Sequence, residues 1–117
     1  MSKLLVIDDE KPILDLMRDH FSLRGYEVLT ADTAEEGLRA AFKERPDVVL
    51  LDYKLTDYLG DEVLLRIKKN LPKIKVIMIS GFSGTNFESH LKEYGVDCFF
   101  PKGTSILKIQ EKVEEYA

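Results

Sequence analysis

A doubly wound α/β fold is the architecture this sequence predicts: a five-stranded parallel sheet in the order 2-1-3-4-5, with helices on both faces. Three observations lead there. Short runs rich in Val, Ile and Leu recur along the chain, and the stretches between them carry helical rather than alternating apolar spacing. The strongest runs, such as Val48-Val49-Leu50-Leu51, are apolar at consecutive positions, as expected of strands covered on both faces. Strand and helix alternate with short connections, which calls for an open parallel sheet. Right-handed crossovers then leave few strand orders, and 2-1-3-4-5 is the common one for five strands.

The first strand is expected over residues 3–8. Behind it Ile13, Met17 and Phe21 recur at i, i+4 and i+8, with Pro12 in the first turn of the helix and Gly25 at its stop. The second strand, 26–30, leads into a helix marked by Leu38, Ala41 and Phe42 and followed by Pro46. Residues 47–52 form the inner strand. Val63, Leu64, Ile67 and Leu71 stripe the third helix, and Pro72 follows it. The fourth strand, 74–79, precedes Phe87, Leu91 and Tyr94, which Gly95 closes off. A weaker fifth strand, 97–101, leads to a last stripe of Ile106, Ile109, Val113 and Tyr116. All of these stripes read as core.

Composition narrows the function classes. The chain has 117 residues, 17 Lys+Arg against 21 Asp+Glu, a formal net charge of −4 and 44% hydrophobic residues. That is the size of one domain, 1–117, large enough to be stable without disulfides. The single Cys98 forms no internal disulfide, and with two histidines it leaves too few soft ligands for a structural zinc site. A reducing cytoplasm suits such a chain. The longest apolar runs have four residues, far short of the roughly 20 a membrane span needs. Without a block of Lys and Arg, neither nucleic acid nor a membrane is an expected partner.

The residues that follow the apolar runs carry the chemistry. The first strand ends in Asp8-Asp9, the third in Asp52, the fourth in Ser80 and the fifth in Pro101-Lys102. In a doubly wound sheet these positions gather at the carboxyl edge, where ligands bind beside the switch point. Acidic residues there face a rim, because an unpaired buried charge is very costly. Two like charges 4 Å apart repel by about 4 kcal/mol at an effective dielectric of 20. Lys102 offsets one charge of three. A hard divalent cation completes the balance, and Mg²⁺ is the natural candidate, since it accepts a couple of carboxylates and shares a phosphate oxygen. A single Asp at a strand end is ordinarily a helix cap; Asp8, Asp9 and Asp52 together with Ser80 and Lys102 at one edge are not.

These residues resemble the receiver domain of bacterial two-component response regulators, including its chemotaxis-regulator-like, flavodoxin-like fold. The resemblance runs from Leu4-Leu5-Val6-Ile7-Asp8-Asp9-Glu10 through Val49-Leu50-Leu51-Asp52 and Val76-Ile77-Met78-Ile79-Ser80-Gly81 to Phe99-Phe100-Pro101-Lys102. It implies that Asp52 is the phosphoryl acceptor, Asp9 a direct metal ligand, Asp8 a ligand through water, and Lys54 a donor of its backbone carbonyl to the metal. Ser80 stands where the switch hydroxyl would be, Lys102 where the phosphate-binding lysine would be, and Phe99 where the aromatic switch would be. The function implied is a signalling switch rather than an enzyme, one that takes its phosphoryl group from a histidine kinase or phosphotransfer protein with Mg²⁺. Its output is a changed affinity for a downstream effector or a fused output domain. The alternatives are an Mg²⁺-dependent phosphohydrolase with Asp52 as nucleophile and an unphosphorylated scaffold. The first lacks a cap domain and an evident second acid; the intact Asp8, Asp9, Asp52 and Lys102 speak against the second.

Three positions depart from the family pattern. Gly103 follows the lysine where a cis proline is common, so a trans bond is expected, since cis before a non-proline residue costs about 2.5–4 kcal/mol. Thr56 stands four residues after the acceptor where proline is frequent, which leaves that loop less stiff. Ser80 replaces the usual threonine with the same hydroxyl chemistry. Lys54 and Phe82 either flank the path of hydrolytic water and slow dephosphorylation or are simply solvated loop residues. His20 and His90 fall within helices and read as packing or surface residues. The Ser83-Gly84-Thr85-Asn86 segment reads as a loop and N-cap of the fourth helix rather than a flavin phosphate cradle, so no flavin is expected. Phe99, Phe100, Ile106 and Leu107 are either interior or part of a partner surface.

Overall fold

Residues 2–117 are described by the structure, a computed structural model. The elements alternate in chain order: β1 (Lys3–Ile7), α1 (Lys11–Ser22), β2 (Glu27–Ala31), α2 (Ala34–Glu44), β3 (Val48–Asp52), α3 (Gly60–Asn70), β4 (Lys75–Ser80), α4 (Thr85–Glu93), β5 (Cys98–Pro101) and α5 (Ile106–Tyr116). The strands form one sheet in the order β2-β1-β3-β4-β5, and each neighbouring pair is parallel. This is the order that the sequence predicts.

Successive strand residues point to opposite faces, and this divides the apolar residues into two layers. Leu4, Val6, Leu50 and Ile77 pack with Leu14, Met17 and Phe21 of α1 and Ile109 and Val113 of α5. Leu5, Ile7, Val49, Leu51 and Met78 pack with Leu38 and Ala41 of α2, Val63, Leu64 and Ile67 of α3, and Leu91 of α4. Every residue of the central β3 is buried, which accounts for its unbroken apolar run. The edge strand β5 is partly exposed throughout, so its sequence signal is weak.

Most strand boundaries fall one residue from the expected ones. Phe42 departs from its expected place: it lies 40% exposed, because Leu38 and Ala41 already occupy the inward face of α2 and the next position turns outward. Gly25 and Gly95 end α1 and α4 as expected, at φ +89° and +96°. Each sits in a Schellman turn: Tyr26 N–H donates to Phe21 O and Gly25 N–H to Ser22 O, with the same pattern from Val96 to Leu91 and Gly95 to Lys92. The 83–86 segment does precede α4, but its N-cap position is Gly84 and no side chain caps the helix there. Among the described residues no peptide bond is cis, so Lys102–Gly103 is trans.

Gly60 fixes how closely α3 approaches the end of β3. A Cβ there would lie 2.8 Å from the Tyr53 Cα and 3.0 Å from the Asp52 carbonyl oxygen, both backbone atoms that cannot swing aside. Gly60→Ala is therefore expected to destabilise by about 1–3 kcal/mol, reversing the small gain of Gly→Ala at an unstrained site. Gly37→Ala meets side-chain rather than backbone atoms, Cδ1, Cγ1 and Cγ2 of Ile7, and should cost less because a side chain gives way more readily than the main chain. Urea unfolding of both variants checks the ranking; equal midpoints would refute it.

Candidate functional site

Parallel register brings the expected residues to one edge. Ile7 pairs with Leu51, Asp52 with Ile79, and Ser80 with Pro101, so Asp8-Asp9, Asp52, Ser80 and Lys102 all emerge at the carboxyl ends of the strands. The backbone holds them there: Asp8 N–H donates to Ala31 O at 3.1 Å, Tyr53 N–H to Ile79 O at 3.0 Å, and Lys102 N–H to Ser80 O at 2.8 Å.

Asp8, Asp9 and Asp52 each offer an oxygen, and the three oxygens lie within 4.8 Å of one another. Asp8 is 8% exposed and Asp52 3%, whereas Asp9 is open to solvent. Both carboxylate oxygens of Asp52 are buried without a hydrogen-bond partner. The Lys102 ammonium stands 3.4 Å from Asp52 Oδ1, a charge contact rather than a directed hydrogen bond. A buried carboxylate left this incomplete is unusual, because each unsatisfied buried group costs about 1–3 kcal/mol. An oxygen-only donor set with orphaned carboxylate atoms fits a hard divalent cation.

Titration behaviour follows from this crowding. Burial raises Asp8 to about 6, with the Asp52 charge adding to it and the Glu10 N–H, 2.9 Å from Asp8 Oδ1, opposing it. Burial likewise raises Asp52, against the pull of Lys102. Partial burial works to lower Lys102, but Asp52, Asp8 and Glu10 outweigh it and hold the ammonium above its ordinary value.

A hollow of about 280 Å³ opens beside Asp52, lined by Lys54, Ser80, Gly81, Phe82 and Lys102. Ser80 is buried and its Oγ accepts the Phe82 N–H at 2.9 Å, which leaves the hydroxyl proton free to donate. Phe99 is half-buried between β5 and α4, with its ring edge-on to Phe87 at 5.9 Å. A larger hollow of about 440 Å³ lies at the amino ends of β3 and β4, away from this cluster.

The response regulator receiver domain family matches residues 4–114. The chain belongs to that family. It is 33% identical over 114 residues to sporulation initiation phosphotransferase F of Bacillus subtilis, covering 97% of this chain and 92% of that one. It is 38% identical over 102 residues to the transcriptional regulatory protein KdpE of Mycobacterium tuberculosis, covering 87% of this chain but 45% of that longer protein. Among solved structures, the receiver domain protein of Methanospirillum hungatei superposes with a TM-score of 0.94 at 32% identity, covering 98% of this chain and 92% of that one. Receivers serve phosphorylation-dependent signalling in two-component systems, and receivers use Mg²⁺. No helix among the described residues is long and apolar enough to cross a membrane.

Several features of this receiver lie outside the sequence reading. Tyr53, Phe82, Phe87 and Phe99 form a run of ring contacts, with Tyr53 at 5.6 Å from Phe82 and 4.9 Å from Phe87, which connects the end of β3 to β5 through α4. Asp57, in the loop after β3, accepts hydrogen bonds from Ala34 and Glu35 at the start of α2. The two histidines, by contrast, take the packing roles expected of them: His20 contacts Gln110 of α5 at 2.7 Å, and His90 contacts Asp61 of α3 at 3.0 Å.

Proposed function

We propose that this receiver is a switch phosphorylated on Asp52. A carboxylate oxygen of Asp52 attacks phosphorus, the bond from phosphorus to the donor histidine nitrogen breaks, and the imidazole leaves to take up a proton. The product is an acyl phosphate carrying about −1.5 to −2 charge. The observation that carries this reading is the buried Asp52 carboxylate, without hydrogen-bond partners, beside Lys102 and with oxygens of Asp8 and Asp9 within 4.8 Å. Mg²⁺ held by Asp9, Asp52, the Lys54 carbonyl and, through water, Asp8 would neutralise charge on the phosphoryl oxygens. Lys102 pairs with a second oxygen, and Ser80 donates its hydroxyl to the third. The hollow lined by Lys54, Ser80 and Phe82 has room for the group and for waters of about 30 Å³ each.

The donor is a histidine kinase or phosphotransfer protein, and the readout is a changed affinity for a downstream effector or a fused output domain. The reading places the receiver in the cytoplasm, with no direct nucleic-acid or membrane contact. A hydrogen bond to a charged group is worth about 1.5–3 kcal/mol, while inverting a 1:99 equilibrium takes about 5.5 kcal/mol. Ser80 alone is too weak, so Ser80, Lys102 and repacking of Phe99 against Phe87 act together. Ser80→Ala is therefore expected to weaken partner binding by the phosphorylated form; unchanged binding would remove Ser80 from the switch. Lys54 and Phe82 line the hollow and restrict hydrolytic water, so Lys54→Ala and Phe82→Ala should shorten the phosphoryl half-life.

Mass spectrometry after acetyl phosphate and Mg²⁺ tests the reading. One phosphoryl group should accumulate per chain and none on Asp52→Asn. Release of many equivalents of phosphate without accumulation would favour a phosphohydrolase instead.

A further inference from the structure

We propose that Asp57 is a positioning residue for cation binding: by tying the β3–α3 loop to the start of α2 it holds the Lys54 segment at its working distance from Asp8 and Asp9. This rests on the metal site read above. The loop is cinched at its base, where Lys54 bridges to Leu59 and Gly60 N–H donates to Tyr53 O. Its middle carries Thr56, with no proline ring to stiffen it.

Asp57 supplies the missing restraint at the tip. Its Oδ1 accepts the Ala34 N–H at 2.8 Å and the Tyr58 N–H at 3.1 Å, and its Oδ2 accepts the Glu35 N–H at 3.0 Å. The anchor is itself rigid. Ala34 is fully buried, the next turn of α2 packs Gly37 on Ile7, and Asp8 N–H is bonded to Ala31 O at the end of β2. Asp8 is thus connected through Ala31, the short turn to Ala34, and the Asp57 carboxylate to the loop that carries Lys54. Both loops that supply ligands share one frame.

The same carboxylate also caps α2, so the test must separate the two roles. Thr33 caps the same helix end, with Oγ1 accepting the Glu36 N–H at 3.1 Å and its carbonyl accepting the Gly37 N–H, so its hydrogen bonds stay within α2 and do not reach the loop. Calorimetric titration of Mg²⁺ into the parent, Asp57→Ala, Asp57→Asn and Thr33→Ala, in about 1 M salt where the Debye length is about 3 Å, removes long-range charge effects. Asp57→Ala should bind Mg²⁺ about tenfold more weakly, the lower end of what is lost when a group supporting a metal ligand is removed. Asp57→Asn, with one acceptor oxygen left, should fall between it and the parent. Thr33→Ala should lose stability as Asp57→Ala does yet bind Mg²⁺ like the parent. Parent-like affinity in Asp57→Ala, or an equal loss in Thr33→Ala, would overturn the proposal. A parent that takes up no Mg²⁺ would bring down the reading of the site itself, and the loop assignment with it.

Discussion

Asp52→Asn is expected to abolish phosphoryl acceptance and, in metal-free buffer near pH 7, to raise the unfolding free energy by about 1–3 kcal/mol. Loss of function follows from loss of the nucleophilic oxygen. The gain in stability follows from the asymmetry of the ion pair. The Asp52 side chain is 2% exposed and the Lys102 side chain 44%. Removing the carboxylate charge lets the ammonium return to water at little cost, whereas the parent keeps an ionised group in a site that raises its pKa by burial and leaves both oxygens unpartnered. The reverse deletion has the opposite sign: Lys102→Ala takes away the cation and leaves Asp52 worse off. Urea unfolding of the two variants beside the parent reads both signs. A destabilised Asp52→Asn would mean that the carboxylate is satisfied in a way the geometry does not show.

That trade between stability and chemistry is also why the site could be read from the sequence. Asp8, Asp52 and Ser80 interrupt runs that are otherwise buried, and a charged or hydroxyl group directly after Ile7, Leu51 or Ile79 has no packing reason to be there. The inner strands were legible for the same cause: β1, β3 and β4 are covered on both faces, so their apolar residues are contiguous. The edge strand β5 has partial exposure at three positions and left a fainter trace.

Contacts made across long stretches of chain left none. Asp57 reaches the start of α2 over 23 and 22 residues, and a sequence window sees in it only an acidic residue in a loop. The ring contacts of Tyr53, Phe82, Phe87 and Phe99 draw on the β3–α3 loop, the β4–α4 loop, α4 and β5, and no periodicity joins them. Phe42 erred in the other direction. Its apolar side chain extended the α2 stripe on paper, while the helix had already turned past the core. Local pattern thus recovers what one element buries; it does not recover how loops are tied to one another.

The crowded carboxylates also predict an unusual dependence of stability on pH. Asp8 titrates at about 6 in the folded chain against 3.8 as its ordinary value. Between those values the folded state holds a proton that the unfolded state has released, so stability falls as pH rises through the window. Asp8 alone accounts for about 2–3 kcal/mol of loss between pH 4 and pH 7 at 1.36 kcal/mol per unit, and Asp52 is shifted in the same direction. Asp57 works oppositely. Burial pushes it up, but the N–H groups of Ala34, Glu35 and Tyr58 together outweigh this and lower it, so its stabilisation is lost only as pH falls below the ordinary carboxylate range. Metal-free protein should therefore be most stable near pH 4–5 and should soften toward neutrality. A cation that binds the ionised carboxylates of the folded chain alone adds about 2.7 kcal/mol at a hundred times its Kd. Protons compete for the same oxygens, so that gain is present at neutral pH and vanishes in acid. Saturating Mg²⁺ should flatten or invert the profile, and chemical denaturation at pH 4.5, 6 and 7.5 with and without the ion resolves it. Metal-free protein that is more stable at pH 7.5 than at pH 5 would show that these carboxylates do not strain the fold.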